Sequence, residues 1–174
     1  MDTPLDRFIT GKIIIPASLD EVWQAWTTED GVRSFFAPRA RLDLRPGGAY
    51  EMLFDLEAQP GQQGGEGMHL LAIQPKQMLS FTWNAPPELP TVRGQMTHVV
   101  VRLVPLGNHS TKVTLLHDGW GSGGEWDLAF AYFERAWLKI VFTRLKYRFV
   151  VGPIDWGSPP AAQELTKYLD STHT

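Results

Sequence analysis

Hydrophobic positions along this chain change period three times, and the changes mark its elements. Residues 7–15 end in the β-branched run Ile13-Ile14-Ile15 and stop at Pro16, which predicts a first strand. Ser18 or Asp20 then supplies a helix cap, and Val22, Ala25 and Trp26 fall at helical spacing until Gly31 breaks the pattern. In residues 39–45, Leu42 and Leu44 alternate with polar neighbours, and Pro46-Gly47-Gly48 turns the chain into a second strand at 49–56. Residues 57–67 are rich in Gly, Gln and Pro with little to bury, which predicts an exposed loop. Strands follow at 68–73 and 77–83. Residues 84–90 hold three prolines in seven positions and cannot pair inside a sheet. A last hairpin over 95–104 and 111–117 brings the expected strand count to seven.

From residue 125 to about 150 the period becomes helical. Trp126, Phe130, Phe133, Trp137, Ile140, Val141 and Leu145 share one face, Phe142 and Phe149 widen it, and Arg135, Lys139, Thr143 and Lys146 form a narrow polar strip. At ~1.5 Å per residue the helix is long enough to cross a whole sheet, and so wide an apolar arc predicts enclosure. Gly152-Pro153 ends it, and residues 161–170 have the pattern of one more short helix on the outside. The expected organisation is one domain over 1–150 with a Pro-rich extension over 151–174 packed on it.

Totals narrow the function. A chain of 174 residues, 43% hydrophobic and 20% charged, can bury a core without disulfides. It has no cysteine, which removes thiolate catalysis and fits a reducing compartment. The net charge of −3 offers no field to neutralise phosphates, so nucleic-acid binding is not expected. The first residues lack the basic and apolar segments of a signal peptide, no stretch is apolar enough to span a membrane, and a cytoplasmic location is the expectation. Seven Trp and nine Phe in so small a chain predict either an aromatic core or a pocket with aromatic walls.

Order and motifs together carry a resemblance. Ile15-Pro-Ala-Ser-Leu-Asp-Glu-Val-Trp23, Arg45-Pro-Gly-Gly-Ala-Tyr50, Leu79-Ser-Phe-Thr-Trp83, Val113-Thr-Leu-Leu-His-Asp-Gly-Trp120 and the helix from Trp137 to Leu145 resemble the AHSA branch of the SRPBCC, or Bet v 1-like, superfamily. These are proteins related to the C-terminal domain of the activator of the Hsp-90 ATPase. The resemblance implies an α+β helix-grip fold, a curved seven-stranded antiparallel sheet wrapped around a long C-terminal helix, with short helices after the first strand. That superfamily includes lipid carriers, hormone receptors and polyketide cyclases or dehydratases, so fold alone does not choose among them.

Candidate walls of a cavity are Trp26, Phe35, Phe36, Tyr50, Met52, Phe54, Phe81, Trp83, Trp120, Phe133, Trp137 and Val141, whose spacing would equally suit a filled core. Among the five histidines, His109 and His173 fall in a turn and the tail, and His69 and His98 on strand positions facing outward. His117 shares parity with Val113 and Leu115, so it faces the long helix. It either contacts a ligand there or is a core histidine bonded to backbone or Asp118. Arg144 falls near the middle of the helix's apolar face, where a charge demands solvent, a protein carboxylate or an anionic ligand. Gly121-Ser-Gly-Gly124 is a hinge into the helix or, less in keeping with Asp127, an anion cradle.

Three functions remain open from the sequence. The first is a binding module for a small hydrophobic or amphipathic molecule, without cofactor or metal. The second is a cyclase, dehydratase or hydrolase using His117 as acid or base and Tyr50 to polarise a carbonyl. The third is an interaction protein with a chaperone partner, or a homodimer, using surface around Phe142, Phe149 and residues 154–160.

Overall fold

A computed structural model describes residues 6–169; His173 and the last residue of the expected outer helix lie outside this range. The first strand, β1 (Ile9–Ile15), leads into α1 (Leu19–Thr27) and α2 (Glu29–Arg33). Ser18 caps α1 with a reciprocal box, its hydroxyl accepting from the Glu21 amide while Glu21 accepts from the Ser18 amide. Helix α2 starts one residue later under Thr28 and packs tightly on α1. A side chain at Gly31 would sit 2.1 Å from the Gln24 carbonyl oxygen, so only glycine permits this crossing.

The rest of the chain builds β2 (Arg39–Leu42), β3 (Tyr50–Leu53), β4 (Gly64–Gly65), β5 (Leu70–Gln74), β6 (Met78–Trp83), α3 (Pro90–Arg93), β7 (Thr97–Pro105) and β8 (Thr111–Asp118). A long helical segment follows as α4 (Glu125–Arg135), a π-helical stretch (Ala136–Val141) and α5 (Phe142–Val150), and a short α6 (Ala162–Leu165) closes the chain. Five strands form one antiparallel sheet in the order β1-β8-β7-β6-β5, and β2-β3-β4 form a second. An isolated bridge between Ala49 and His69 joins them, reinforced by Tyr50 N–H donating to Met68 O at 2.9 Å. The result is one curved surface with a seam, and it holds eight strands where the sequence predicts seven. The additional strand, β4, falls inside the segment expected to be exposed loop.

Alternation of side chains decides what the sheet encloses. In β8 the residues Val113, Leu115 and His117 are buried and their neighbours are not; in β7 Thr97, Val99, Val101 and Leu103 are buried. His98 and Arg102 point outward as the alternation predicts. The long helix lies across this inner face. It approaches β1 so closely that a side chain at Gly11 would collide with Leu138. Its middle departs from the expected plain α-helix: Phe142 N–H bonds to Trp137 O, five residues back, as in a π-turn. Thr143, assigned to the polar strip by period, is fully buried instead, its hydroxyl donating to Lys139 O at 2.7 Å. Phe142 is also buried, so it contributes nothing to an exposed interaction patch. Ile154 N–H bonds to Ser34 O at 2.9 Å and Trp156 Nε1 donates to Arg33 O at 2.6 Å, which lays the C-terminal segment against α2. No described helix is long and apolar enough to cross a membrane.

Candidate functional site

Rings entering from the turn after α2, from β6 and from the long helix meet without filling the space between them. Phe36 makes contacts of 5.8 Å with Trp83, 5.6 Å with Trp137 and 6.1 Å with Phe54, measured between ring centroids. Beside this cluster opens a cavity of about 350 Å³, within the ~300–1,000 Å³ range of small-molecule sites. Of the residues singled out from sequence, Phe36, Phe54, Trp83, Phe133, Trp137, Val141 and Arg144 line it. The π-helical stretch contributes Ala136, Trp137, Ile140 and Val141, so the irregular part of the helix is the part that forms the cavity wall.

Trp26, Phe35, Tyr50, Met52 and Phe81 are placed elsewhere. All five are buried in the closed part of the core, where the Tyr50 and Phe81 rings pack 4.6 Å apart. Tyr50 donates its hydroxyl proton to Trp26 O at 2.8 Å, and burial pushes the phenol well above its ordinary range. It does not border the cavity. Trp120 packs on the His117 ring at 4.2 Å and bonds to the His117 carbonyl oxygen, likewise outside the cavity.

His117 is enclosed in a complete hydrogen-bond chain. Trp137 Nε1 donates to its Nδ1 at 2.9 Å, which assigns the proton to Nε2; Nε2 donates to Thr97 Oγ1 at 2.6 Å, and Thr97 donates onward to Trp83 O at 3.0 Å. Asp118 pairs with His98 on the outer face, at 3.1 Å. Burial, with a smaller contribution from His98, pushes His117 down to about 3. The imidazole is neutral at physiological pH, both its nitrogens are occupied, and it holds the Trp137 ring that lines the cavity. No ring nitrogen is left for proton transfer to a ligand.

Most of the lining residues that sequence reasoning missed come from two loops, the others including Asp55, Tyr132 and Ala136. Gln62, Gln63, Gly64 and Gly65 border the cavity on one side and Asn84, Pro86, Pro87 and Glu88 on another. Their Gly, Pro and Gln content reads as linker, because nothing in a local pattern shows that the loops fold back over an opening. Arg93 holds them together, donating to the carbonyl oxygens of Gly61 and Gly64 at 2.9 and 2.8 Å and to that of Ala85. Glu125 accepts from Thr91 and Val92 N–H at 2.7 and 3.1 Å and so ties α3 to the start of the long helix. The glycine-rich turn before that helix is also self-contained: Asp127 accepts from Gly123 N–H at 3.1 Å and pairs with Arg7 at 2.7 Å. The Asp127 carboxylate already takes the Gly123 amide, which sets a like charge against an incoming anion. Among the described residues, no three His, Asp or Glu side chains form a metal-binding group.

A curved antiparallel sheet closed by one long helix, with a cavity between them, defines a helix-grip protein. The chain belongs to the family of activator of Hsp90 ATPase homolog 1-like proteins, whose model matches residues 16–149. No curated protein sequence matches significantly. Among solved structures, it is similar to the Aha1 dimer from Colwellia psychrerythraea, with TM-score 0.64 and 21% identity over 84% of this chain and 98% of that one. CalU16 from Micromonospora echinospora gives TM-score 0.63 and 21% identity over 96% and 87% of the two chains. DynU16, a protein of the dynemicin biosynthetic locus, gives TM-score 0.62 and 21% identity over 85% of this chain and 49% of that one. At such identities these likenesses establish the fold.

Proposed function

We propose that this protein binds one small hydrophobic or amphipathic molecule in the cavity between its loops and long helix. The observation that carries this is the unfilled volume of about 350 Å³ beside Phe36, Trp83 and Trp137. The cavity opens to solvent and presents the faces of these rings there, so a ligand of matching shape gains by removing that apolar surface from water. Asn84 adds a polar contact at the wall. Its amide nitrogen donates to Gly64 O at 3.0 Å, and its oxygen accepts no hydrogen bond among the described residues, leaving an acceptor for a ligand hydroxyl or amine. The biosynthetic-locus setting of DynU16 fits a small-molecule role for this fold.

Catalysis through His117 and Tyr50 is not part of this proposal, since each is committed to internal hydrogen bonds away from a ligand. Native mass spectrometry of the purified protein tests the assignment and reads the oligomeric mass in the same spectrum. A one-to-one small-molecule adduct, absent from an Ala136→Trp variant whose indole occupies the cavity, is expected. A protein that carries no adduct and takes up no member of a lipid and polyketide panel refutes it.

A further inference from the structure

The polar groups around the cavity divide into those the protein uses itself and one cation that it does not. Arg93 spends its guanidinium on three backbone carbonyls. Arg144, on the same cavity, has neither a carboxylate in ion-pair range nor a hydrogen-bond acceptor among the described residues. Its one recorded contact is the face of Trp156, with Cζ 5.2 Å from the ring centroid, and its Nε is buried with nothing to donate to. Burial alone pushes this guanidinium down from the usual arginine range, with no nearby acid to oppose the effect. A half-buried cation without a counter-charge is destabilising, and the described residues supply none.

We infer that the cavity's ligand is an amphipathic anion, with a ring body packed on Phe36, Trp83 and Trp137 and an acidic group paired with Arg144. This inference rests on the cavity being a binding site. The planar fork of a guanidinium matches a carboxylate in two parallel hydrogen bonds, and that pairing strengthens where water is partly excluded. Trp156, itself held by the Arg33 carbonyl, backs the guanidinium and limits where it can go. At the opposite end of the cavity the charges are balanced, Glu88 lying near Arg93. Tyr132 and Glu88 border it there, and twelve residues of helix separate Tyr132 from Arg144, a rise of ~18 Å. Glu88 lies near enough to Tyr132 to help raise its phenol, after burial. An acid entering the cavity therefore meets a cation already paired with protein groups at the Glu88 end and an unpaired one at the Arg144 end, which sets its orientation.

Two fluorescent dyes with the same ring frame test this: anionic 1-anilinonaphthalene-8-sulfonate and neutral N-phenyl-1-naphthylamine. The native protein is expected to bind the anionic dye about tenfold more tightly than the neutral one, the scale of one charge-assisted hydrogen-bonded contact. Arg144→Gln should abolish that preference while leaving the neutral dye's affinity intact, Arg144→Lys should retain most of it, and Ala136→Trp should exclude both dyes. Equal binding of the two dyes, or equal weakening of both by Arg144→Gln, overturns the acidic-ligand inference and leaves the cavity assignment standing. Failure of both dyes to bind, or binding that Ala136→Trp does not disturb, overturns the cavity assignment and this inference with it.

Discussion

Around Tyr50, Phe81 and Met52 the interior is filled, and every one of these side chains is fully buried. Around Phe36, Trp83 and Trp137 rings of the same kind, on the same sheet and helix, border open space. The two regions differ less in residue type than in what completes them. In the closed region the polar atoms of Tyr50 and His117 are bonded to the protein itself, to Trp26 O in one case and to Thr97 and Trp137 in the other. In the open region Asn84 and Arg144 retain hydrogen-bonding capacity that the protein does not use. Polar satisfaction therefore separates His117 and Tyr50 from Asn84 and Arg144, because a satisfied group gains nothing by meeting a ligand, although the buried Trp26 Nε1 in the closed region also lacks an acceptor.

The contrast is most strongly tested in the closed region. Phe81→Ala removes a fully buried ring and should cost ~3–5 kcal/mol in chemical denaturation. A cost under about 1 kcal/mol would mean that this region is not close-packed.

His117 should make the closed region acid-sensitive. Its imidazole is held down to about 3 in the folded protein, against 6.5 for a free side chain, so the unfolded chain binds the proton first as pH falls. The stability it protects is fully present above pH ~6.5 and is lost progressively down to pH ~3, on the order of 3 kcal/mol between neutrality and pH 4. Denaturation midpoints between pH 7 and 4 measure this, and a His117→Gln variant should show a flatter dependence than the native protein over that interval.

Thr97→Val keeps the shape of its side chain but removes the acceptor for His117 Nε2–H, and should cost ~1–3 kcal/mol. If the hydrogen-bond chain aligns Trp137, the same change should also alter tryptophan fluorescence.

The smallest effect belongs to the open region. Phe54 lines the cavity with 44% of its surface exposed, so Phe54→Ala should lower stability by less than about 1 kcal/mol, while binding of N-phenyl-1-naphthylamine weakens measurably. A stability loss comparable to that of Phe81→Ala would erase the distinction between the two regions.

Much of the architecture was legible from local pattern. The capped helix after β1, the inward parity of Val113, Leu115 and His117, and the placement of Arg144 on the inner face of the long helix all follow from periods of 2 and 3.6 and hold in the structure. The π-helical stretch was not legible, because its sequence, Ala136 to Val141, is ordinary helix-forming sequence whose wide turn is stabilised only by packing against the sheet. Strand β4 was hidden for a related reason: two glycines have no side-chain alternation, and Gly64 and Gly65 become a strand only because β3 is there to pair with them.

The candidate site shows the same division more sharply. Sequence alone determined which side chains face inward, since that depends on spacing along one element. It could not determine which inward-facing rings touch each other and which face a void, so Tyr50, Trp83 and Trp137 were indistinguishable as candidates. That choice depends on distances between elements remote in sequence, and on loops such as 61–65 and 84–88 whose composition carries no periodicity. Only the tertiary structure brought those loops over the helix, occupied both nitrogens of His117, and left Arg144 without an acid to neutralise it among the described residues.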